Sequence, residues 1–158
     1  MALLRPMTPD DASDVLALND RNVVKTAPMD RARLDAMQSV AHRVDVVDVD
    51  GAFAGFVMIF AAGGGHDSSH FQWFTERFDD FLYLDRIVLH EDFRRRGLGT
   101  FVYDAVEADA RQHGRLTLEV NLIPRNDPSL AFHSARGFVE VGRHGDDEHL
   151  VALMEKPL

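Results

Sequence analysis

The chain alternates short apolar runs with amphipathic stretches, which predicts a mixed α/β domain. The predicted strands cover residues 3–5, 43–49, 53–60, 81–89, 116–121, 138–141 and 150–155. The predicted helices are one that begins at Pro9, residues 31–40, one that runs from Gly97 to Gly114, and residues 128–136. Asp50 and Gly51 join two of the strands in a sequence typical of a hairpin. One strand–helix–strand unit, over residues 81–121, makes the expected sheet mixed.

Residues 61–80 separate two of these strands and are predicted to form a long loop. The loop contains four aromatic residues, namely Phe71, Trp73, Phe74 and Phe78. Aromatic clusters in small proteins usually contribute to packing. Trp73 therefore either lines a pocket for the substrate, packs with the other rings to anchor the loop, or contributes to a subunit interface.

One pair of histidines has a spacing that metal ligands can have. His66 and His70 lie four residues apart with Asp67 between them, but the surrounding glycines and serines do not indicate a helix. Because the spacing then carries no geometric meaning, no metal site is expected there. The remaining histidines, among them His42, His113 and His149, are interpreted as surface residues.

The composition of the chain limits its expected domain number, reaction chemistry and partners. The 158 residues, of which 46% are hydrophobic, suit a single domain over residues 1–158 that folds by burying a core. The chain has no cysteine, which excludes disulfides, cysteine zinc sites and thiolate nucleophiles. The net charge of −9 argues against a nucleic-acid partner, because such binding needs basic residues. Without a signal-peptide pattern or a bilayer-length apolar run, the sequence predicts a cytoplasmic protein with no membrane partner.

The segment from Arg94 to Thr100 has the sequence RRRGLGT and lies between a predicted strand and a predicted helix. Glycines let a ligand approach the backbone, and the amides of a helix N-terminus attract an anion such as pyrophosphate. The three arginines add positive charge at the same point. Taken alone, the pattern also fits a tight, solvated turn.

Further motifs follow in a fixed order along the chain. They are Leu4-Arg5-Pro6 with Asp11, the Arg-x-x-Gly-x-Gly signature after Ile87-Val88-Leu89, and Asn126-x-x-Ser129-x-x-x-His133-x-x-x-Gly137-Phe138. In these residues the chain resembles the GNAT superfamily of acyl-CoA-dependent N-acyltransferases. Residues 83–88 and 119–121 look like a bacterial group of predicted acetyltransferases of unknown substrate. The resemblance implies a mixed, mostly antiparallel sheet with a splayed parallel strand pair and helices on both faces.

The same resemblance implies acetyl-CoA as co-substrate, held where strands 81–89 and 116–121 splay apart. Main-chain groups of Ile87 and Leu89 would pair with the pantetheine arm. The residues implied for the pyrophosphate are Arg94, Arg95, Arg96, Gly97, Leu98, Gly99 and Thr100. Asn126 would hydrogen-bond the cofactor, and Ser129 belongs to the same motif.

Direct attack by an amine benefits from a base, because an alkyl amine with a pKa near 10.4 is mostly protonated at neutral pH. Asp85 is expected to contact the substrate or take its proton, or else to pair with an arginine and shape the sheet. Strand alternation predicts that Asp85 shares a face with Tyr83, Ile87 and Leu89. Glu119 is a second candidate base, and its alternative is also a structural pair with an arginine.

His133 occupies the position, four residues before Gly137, at which many members of the superfamily carry a tyrosine. An imidazolium with a pKa near 6.5 would donate a proton to a thiolate near 8.5 more readily than a phenol near 10. His133 is therefore either the general acid or a histidine packed at a helix end.

The leading hypothesis is transfer of acetyl to a primary amine of a small molecule by direct attack, with no metal. The candidate catalytic residues are Asp85, His133 and Glu119, and the candidate substrate contacts are Tyr83, Trp73 and Asn121. The alternatives are a CoA-binding sensory module without turnover and an N-acetyltransferase of proteins or peptides. A homodimer is compatible with such a fold.

Overall fold

The computed structural model describes residues 1–23 and 26–158. They form a seven-stranded sheet in the order β1-β2-β3-β4-β5-β7-β6. The strands are β1 (Ala2–Pro6), β2 (Arg43–Val49), β3 (Ala52–Ala61), β4 (Leu82–Leu89), β5 (Arg115–Ile123), β6 (Val139–Gly145) and β7 (Leu150–Pro157). The helices are α1 (Ala12–Arg21), α2 (Arg31–Val40), α3 (Ser69–Thr75), α4 (Leu98–Ala110) and α5 (Asp127–Ala135). Only β4 and β5 pair in parallel, which confirms the predicted fold class.

Helices cover both faces of the sheet, and each face has its own core. On β3, Phe56, Met58 and Phe60 point into the core formed with α1, α2 and α3. Val57 and Ile59, which alternate with them, point into the core formed with α4. These five side chains are at most 1% exposed, so β3 is buried on both faces, as expected for a strand inside the sheet.

The predicted loop over residues 61–80 contains helix α3, so the prediction of one long loop over this segment is wrong. Ser68 caps the helix by accepting a hydrogen bond from the backbone N–H of Phe71 at 3.4 Å. Phe71 and Phe74, one turn apart, are buried in the core with α1 and α2. Burial of these two rings compensates for the glycines and short polar residues that obscure the helix in the sequence.

Several boundaries also differ from the sequence-based expectation. The first helix opens with a 3₁₀ turn over Pro9–Asp11, and β5 extends to Ile123 instead of ending at residue 121. The sixth strand runs to Gly145 rather than 141, because its pairing with β7 shifts register between Glu140 and Gly142 and then continues. Within the described residues, no helix is both long and apolar enough to span a membrane.

A bulge in β4 changes which residues share a face. The pairing of β4 with β3 shifts register between Met58 and Ile59, so that Asp85 is the extra residue of β4. Tyr83 faces the core with α1 to α3, whereas Ile87 and Leu89 pack with the α4 side. The prediction that Asp85, Tyr83, Ile87 and Leu89 lie on one face is therefore wrong, since one inserted residue reverses the alternation.

Gly55 of β3 is required by the close approach of β4. A Cβ atom at this position would lie 2.4 Å from the carbonyl oxygen of Val88 and 3.1 Å from the Cα of Leu89. Gly55→Ala should therefore lower the free energy of unfolding by about 1–3 kcal/mol, measured by urea denaturation. Gly99→Ala is the control, because its Cβ would meet nothing within 4 Å. Equal midpoints for the two variants would contradict this packing.

Candidate active site

The sheet opens between β4 and β5. The two strands pair only at Leu82 with Leu116 and at Tyr83 with Thr117, and the Thr117 hydroxyl donates to the carbonyl of Leu82 at 3.0 Å. Beyond this point the edge of β4 that faces β5 is unpaired. A cavity of about 1040 Å³ lies at the gap, lined by residues 84–87 of β4 and residues 118–121 of β5. The splayed parallel pair is thus present.

The arginine–glycine segment forms the start of α4. Gly97 precedes the helix with φ +72°, a left-handed conformation that a glycine adopts without strain. The first amides of α4, those of Leu98, Gly99 and Thr100, have no carbonyl partner within the helix. A Cβ atom on Gly97 or Gly99 would meet nothing within 4 Å, so a ligand can approach the backbone closely at these two glycines.

Positive charge is available at the same point. Arg94, Arg95 and Arg96 are exposed, and none of them forms an ion pair within residues 1–23 and 26–158. Open amides and unpaired guanidinium groups fit a phosphate-bearing ligand. This is the donor chemistry that the pyrophosphate of acetyl-CoA needs.

The other predicted cofactor contacts are divided between the cavity and its rim. Ile87, Asn126 and Ser129 line the cavity, whereas Leu89 lies two residues beyond Ile87 on the same strand. The side chain of Asn126 caps α5 by accepting from the backbone N–H of Ser129 at 3.3 Å. Asn126 therefore positions the start of α5 at the cavity, in addition to any contact with a ligand.

Asp85 lies between two partners. Arg86 Nε donates to one carboxylate oxygen at 2.7 Å, and His66 Nε2 lies 2.9 Å from the other. Burial alone would raise the pKa of Asp85, but the hydrogen bond with His66 and the charge of Arg86 hold it below its ordinary value. An ionised carboxylate with both oxygens engaged is a weak base. The pair with arginine that the sequence left open is present.

Glu119 is the other carboxyl group at the gap. It lines the cavity and is partly exposed to it, and its Oε2 accepts a hydrogen bond from the Tyr83 hydroxyl at 2.6 Å. The alternative of an arginine partner for Glu119 is wrong, because Tyr83 takes that place. Loss of solvent around the carboxyl group, and to a smaller extent the charge of Asp85, raises the pKa of Glu119 to about 8. A carboxyl group with this pKa is half ionised at about pH 8, and about one fifth of it is ionised at pH 7.4.

His133 and Tyr103 form a hydrogen-bonded pair between α5 and α4. His133 Nδ1 lies 2.7 Å from the carbonyl oxygen of Ser129, so this nitrogen carries the proton. His133 Nε2 then accepts from the Tyr103 hydroxyl, 2.6 Å away. Burial lowers the pKa of His133, which favours the neutral ring. This arrangement favours the packed role of His133 over that of a proton donor.

The three candidate substrate contacts lie in different surroundings. Asn121 lines the cavity. Tyr83 is fully buried and contacts Glu119 instead of open space. Trp73 is outside the cavity: Arg77 stacks over its ring at 3.5 Å, and the ring packs against Gly142. Trp73 therefore belongs to the packing, and Tyr83 supports the cavity from behind.

Sequence reasoning missed the roles of two residues at the cavity, and it weighed one of them, His66, only as a metal ligand. His66 is 2% exposed, stacks on Phe60 with ring centroids 3.8 Å apart, and holds Asp85. Tyr103 lies on the apolar face of α4 and also lines the cavity. A single phenol on an otherwise apolar helix face was the available signal for Tyr103. No local pattern indicated the role of His66, because its contact with Asp85 forms only when the chain is folded.

The gap in the sheet, the unpartnered amides of α4 and the adjacent cations define an α/β domain suited to an extended anionic ligand that enters the gap between β4 and β5. Residues 12–138 match the profile of the acetyltransferase (GNAT) family, and the chain belongs to this family. The resemblance noted in the sequence is thereby confirmed.

Individual relatives are more distant. The chain is 28% identical over 81 residues to an uncharacterized N-acetyltransferase in the pepI 3′ region of Lactobacillus delbrueckii subsp. lactis, a match over 49% of this chain and 47% of the relative. The match thus spans about half the length of that relative.

Two solved structures show the same fold. The ribosomal-protein-S18-alanine N-acetyltransferase of Escherichia coli has a TM-score of 0.74 at 16% identity, over 99% of this chain and 94% of that one. The protein yncA of Salmonella typhimurium, solved with its cofactor acetyl-CoA, has a TM-score of 0.69 at 15% identity, over 99% and 94%. At these identities the likeness concerns the fold alone.

Proposed function

We propose that the protein is an acetyl-CoA-dependent N-acetyltransferase that acts on a primary amine of a small molecule. The observation that carries the proposal is the position of Glu119, a carboxyl group with a pKa of about 8 at the gap between β4 and β5. Membership in the GNAT family and the open, cationic start of α4 support the cofactor.

The cofactor would be held by this chain's backbone and arginines. The amides of residues 97–100, with Arg94, Arg95 and Arg96, would bind the pyrophosphate, and the unpaired edge of β4 at Ile87 and Leu89 would bind the pantetheine arm. Bound acetyl-CoA supplies a thioester carbonyl carbon that an amine can attack. The start of α5, with Asn126 and Ser129, borders the same gap.

Glu119 is the better base of the two carboxylates. Moving a proton from an ammonium with a pKa near 10.4 to a group with a pKa of about 8 is uphill by about 3 kcal/mol. The same transfer to an aspartate near its ordinary value is uphill by about 9 kcal/mol. Asp85, which is held below that value, therefore acts as a positioning residue for His66 and Arg86, and its charge helps to raise the pKa of Glu119.

The acceptor side of the cavity is enclosed by three separate segments. Residues 26–28 follow α1, residues 66–70 precede and begin α3, and His149 precedes β7. Cavities of this size commonly hold small molecules. A concave space bounded on several sides therefore supports a small acceptor over a long polypeptide.

The Tyr103 hydroxyl, and not the His133 imidazole, is the hydrogen-bond donor proposed for the leaving thiolate, to which it would turn from His133 Nε2 as the thiolate forms. Tyr103→Phe should lower kcat about tenfold, the value of one hydrogen bond, and leave the Kd for CoA nearly unchanged. An assay of CoA thiol release measures kcat, and calorimetric titration measures the Kd for CoA. Since phenylalanine keeps the ring packing against Phe132 and Phe138, an unchanged kcat would assign Tyr103 to packing alone.

Acetylation of a protein is the second candidate, and the fold shared with the ribosomal-protein-S18-alanine N-acetyltransferase favours it. A panel of small amines, amino acids and short peptides, assayed by release of the CoA thiol, separates the two functions. The proposal expects small amines to give the highest kcat/KM. Faster acetylation of peptides would overturn the small-molecule acceptor. CoA binding without amine-dependent release of the CoA thiol would indicate a sensory module. The cytoplasmic location and the homodimer stay predictions.

A further inference from the structure

Two imidazoles and a carboxylate converge at the end of the sheet opposite the gap. His42 directly precedes β2, Asp109 lies in the last turn of α4, and His113 lies in the short turn before β5. One ligand atom from each residue lies within 4.8 Å of those of the other two. The side chains come from segments that are distant in the sequence, so the tertiary fold brings them together.

The donor atoms are those that Zn²⁺ prefers. His42 Nε2 lies 3.1 Å from Asp109 Oδ2, and the rings of His42 and His113 pack edge to face with centroids 5.7 Å apart. Two imidazole nitrogens and one carboxylate oxygen form a common three-residue zinc set, in which a water completes the tetrahedron. Small side-chain rotations would bring these atoms to the spacing of zinc ligands.

A fourth residue orients one of the rings. His113 Nδ1 lies 2.8 Å from Oδ1 of Asp80, in the segment before β4. A ring that donates from one nitrogen to a carboxylate presents the lone pair of its other nitrogen, which is the arrangement found behind histidine ligands of metals. The contact with Asp80 is independent of the cluster itself and gives His113 the tautomer that a metal requires.

The local charge favours a cation that arrives from solvent. The negative end of the α4 dipole lies at Asp109, and the side chains of His42, Asp109 and His113 are 22–30% exposed. Arg43 opposes a cation, since its guanidinium lies 3.3 Å from Asp109 Oδ2. Arg43 also pairs with Asp45, however, and among the described residues no hydrogen bond or ion pair involves the other carboxylate oxygen of Asp109. The carboxylates of Asp80 and Asp109 and the single guanidinium group of Arg43 give the surroundings of the site a negative net charge.

We propose that His42, Asp109 and His113 bind a zinc ion, with Asp80 as the residue that positions His113. The ion would tie the C-terminal end of α4 to the starts of β2 and β5. This end of the sheet is where β4 and β5 still pair, so the site is separate from the acceptor cavity. The sequence-based expectation had no metal and treated His42 and His113 as surface residues.

The test uses the full chain after removal of metals with a chelator. Calorimetric titration with Zn²⁺ should give one ion per chain, and a concentration of 100 times Kd should raise Tm by about 5–10 °C. His113→Ala should abolish both effects, and Asp80→Asn should weaken binding about tenfold. Co²⁺ should give the visible absorption of a tetrahedral site, whereas Mg²⁺ should not bind.

His144→Asn is the matched control, because His144 packs against His70 and is a histidine outside the cluster. Its zinc affinity and stoichiometry should equal those of the wild type. Equal binding by His113→Ala, loss of binding in His144→Asn, or no binding to the wild type would each overturn the proposal. Circular dichroism of the metal-free variants verifies that His113→Ala is folded before titration.

Discussion

Replacing Glu119 by glutamine is expected to lower kcat by about 10²–10⁴-fold, the usual contribution of a general base. Glutamine has the same shape and still offers an oxygen to the Tyr83 hydroxyl, but it cannot accept the proton of the amine. The Kd for CoA should change little, because the groups proposed to hold the cofactor do not include Glu119. Steady-state kinetics and calorimetry on the same preparation measure both effects.

The pKa of Glu119 also predicts the direction in which kcat changes with pH. Only the ionised carboxylate is a base, so kcat of the wild type should rise with pH and level off above about 8, the pKa of Glu119. In Glu119→Gln this step should disappear. The ionisation of the free amine is common to both proteins and cancels in the comparison.

Tyr83→Phe is the matched variant, because the hydrogen bond from Tyr83 lowers the pKa of Glu119. Its removal should move the rise in kcat to higher pH, with most of the activity restored in alkaline buffer. An unchanged profile in both variants would show that Glu119 does not take the proton. Loss of activity at every pH in Tyr83→Phe alone would assign the effect to packing.

Replacing Gly99 by leucine is expected to weaken the binding of CoA about 10²-fold or more. The new side chain would fill the open space before the first amides of α4, and loss of two hydrogen bonds to phosphate costs about 1.5–3 kcal/mol each. The fold should survive, since Gly99 lacks the positive φ of Gly97. Calorimetric titration with CoA measures the effect.

Ala108→Leu is the control for Gly99→Leu. It adds a leucine to an exposed position of the same helix, in the last turn instead of the first. Its affinity for CoA should equal that of the wild type. If Gly99→Leu also bound CoA with unchanged affinity, the pyrophosphate would not lie at the start of α4.

Local patterns predicted most of the sheet and the start of α4. Strands show as apolar or alternating runs, and a glycine before a helix marks a backbone position that a ligand can approach. These features depend on near neighbours in the chain. Helix α3 was missed because its stability comes from burying Phe71 and Phe74 in a distant core and not from its own residues.

The errors at the site have a different cause, since they involve contacts between distant residues. Glu119 was matched with an arginine because charge suggests a partner, yet the sheet places the Tyr83 hydroxyl beside it. The hydrogen bond of Tyr103 with His133 joins residues thirty positions apart. Such contacts follow from the way α4 and α5 pack on the sheet, which no local spacing encodes.

The bulge at Asp85 divides one strand into two independent parts. Before it, Tyr83 faces the side of the sheet that supports Glu119, and after it, Ile87 and Leu89 face the side of α4. Substitutions at 83–85 can therefore alter acceptor preference while the residues proposed for the cofactor keep their orientation. A deletion of Asp85, in contrast, would turn one of these parts over, so relatives should diverge here by substitution more readily than by loss of a residue.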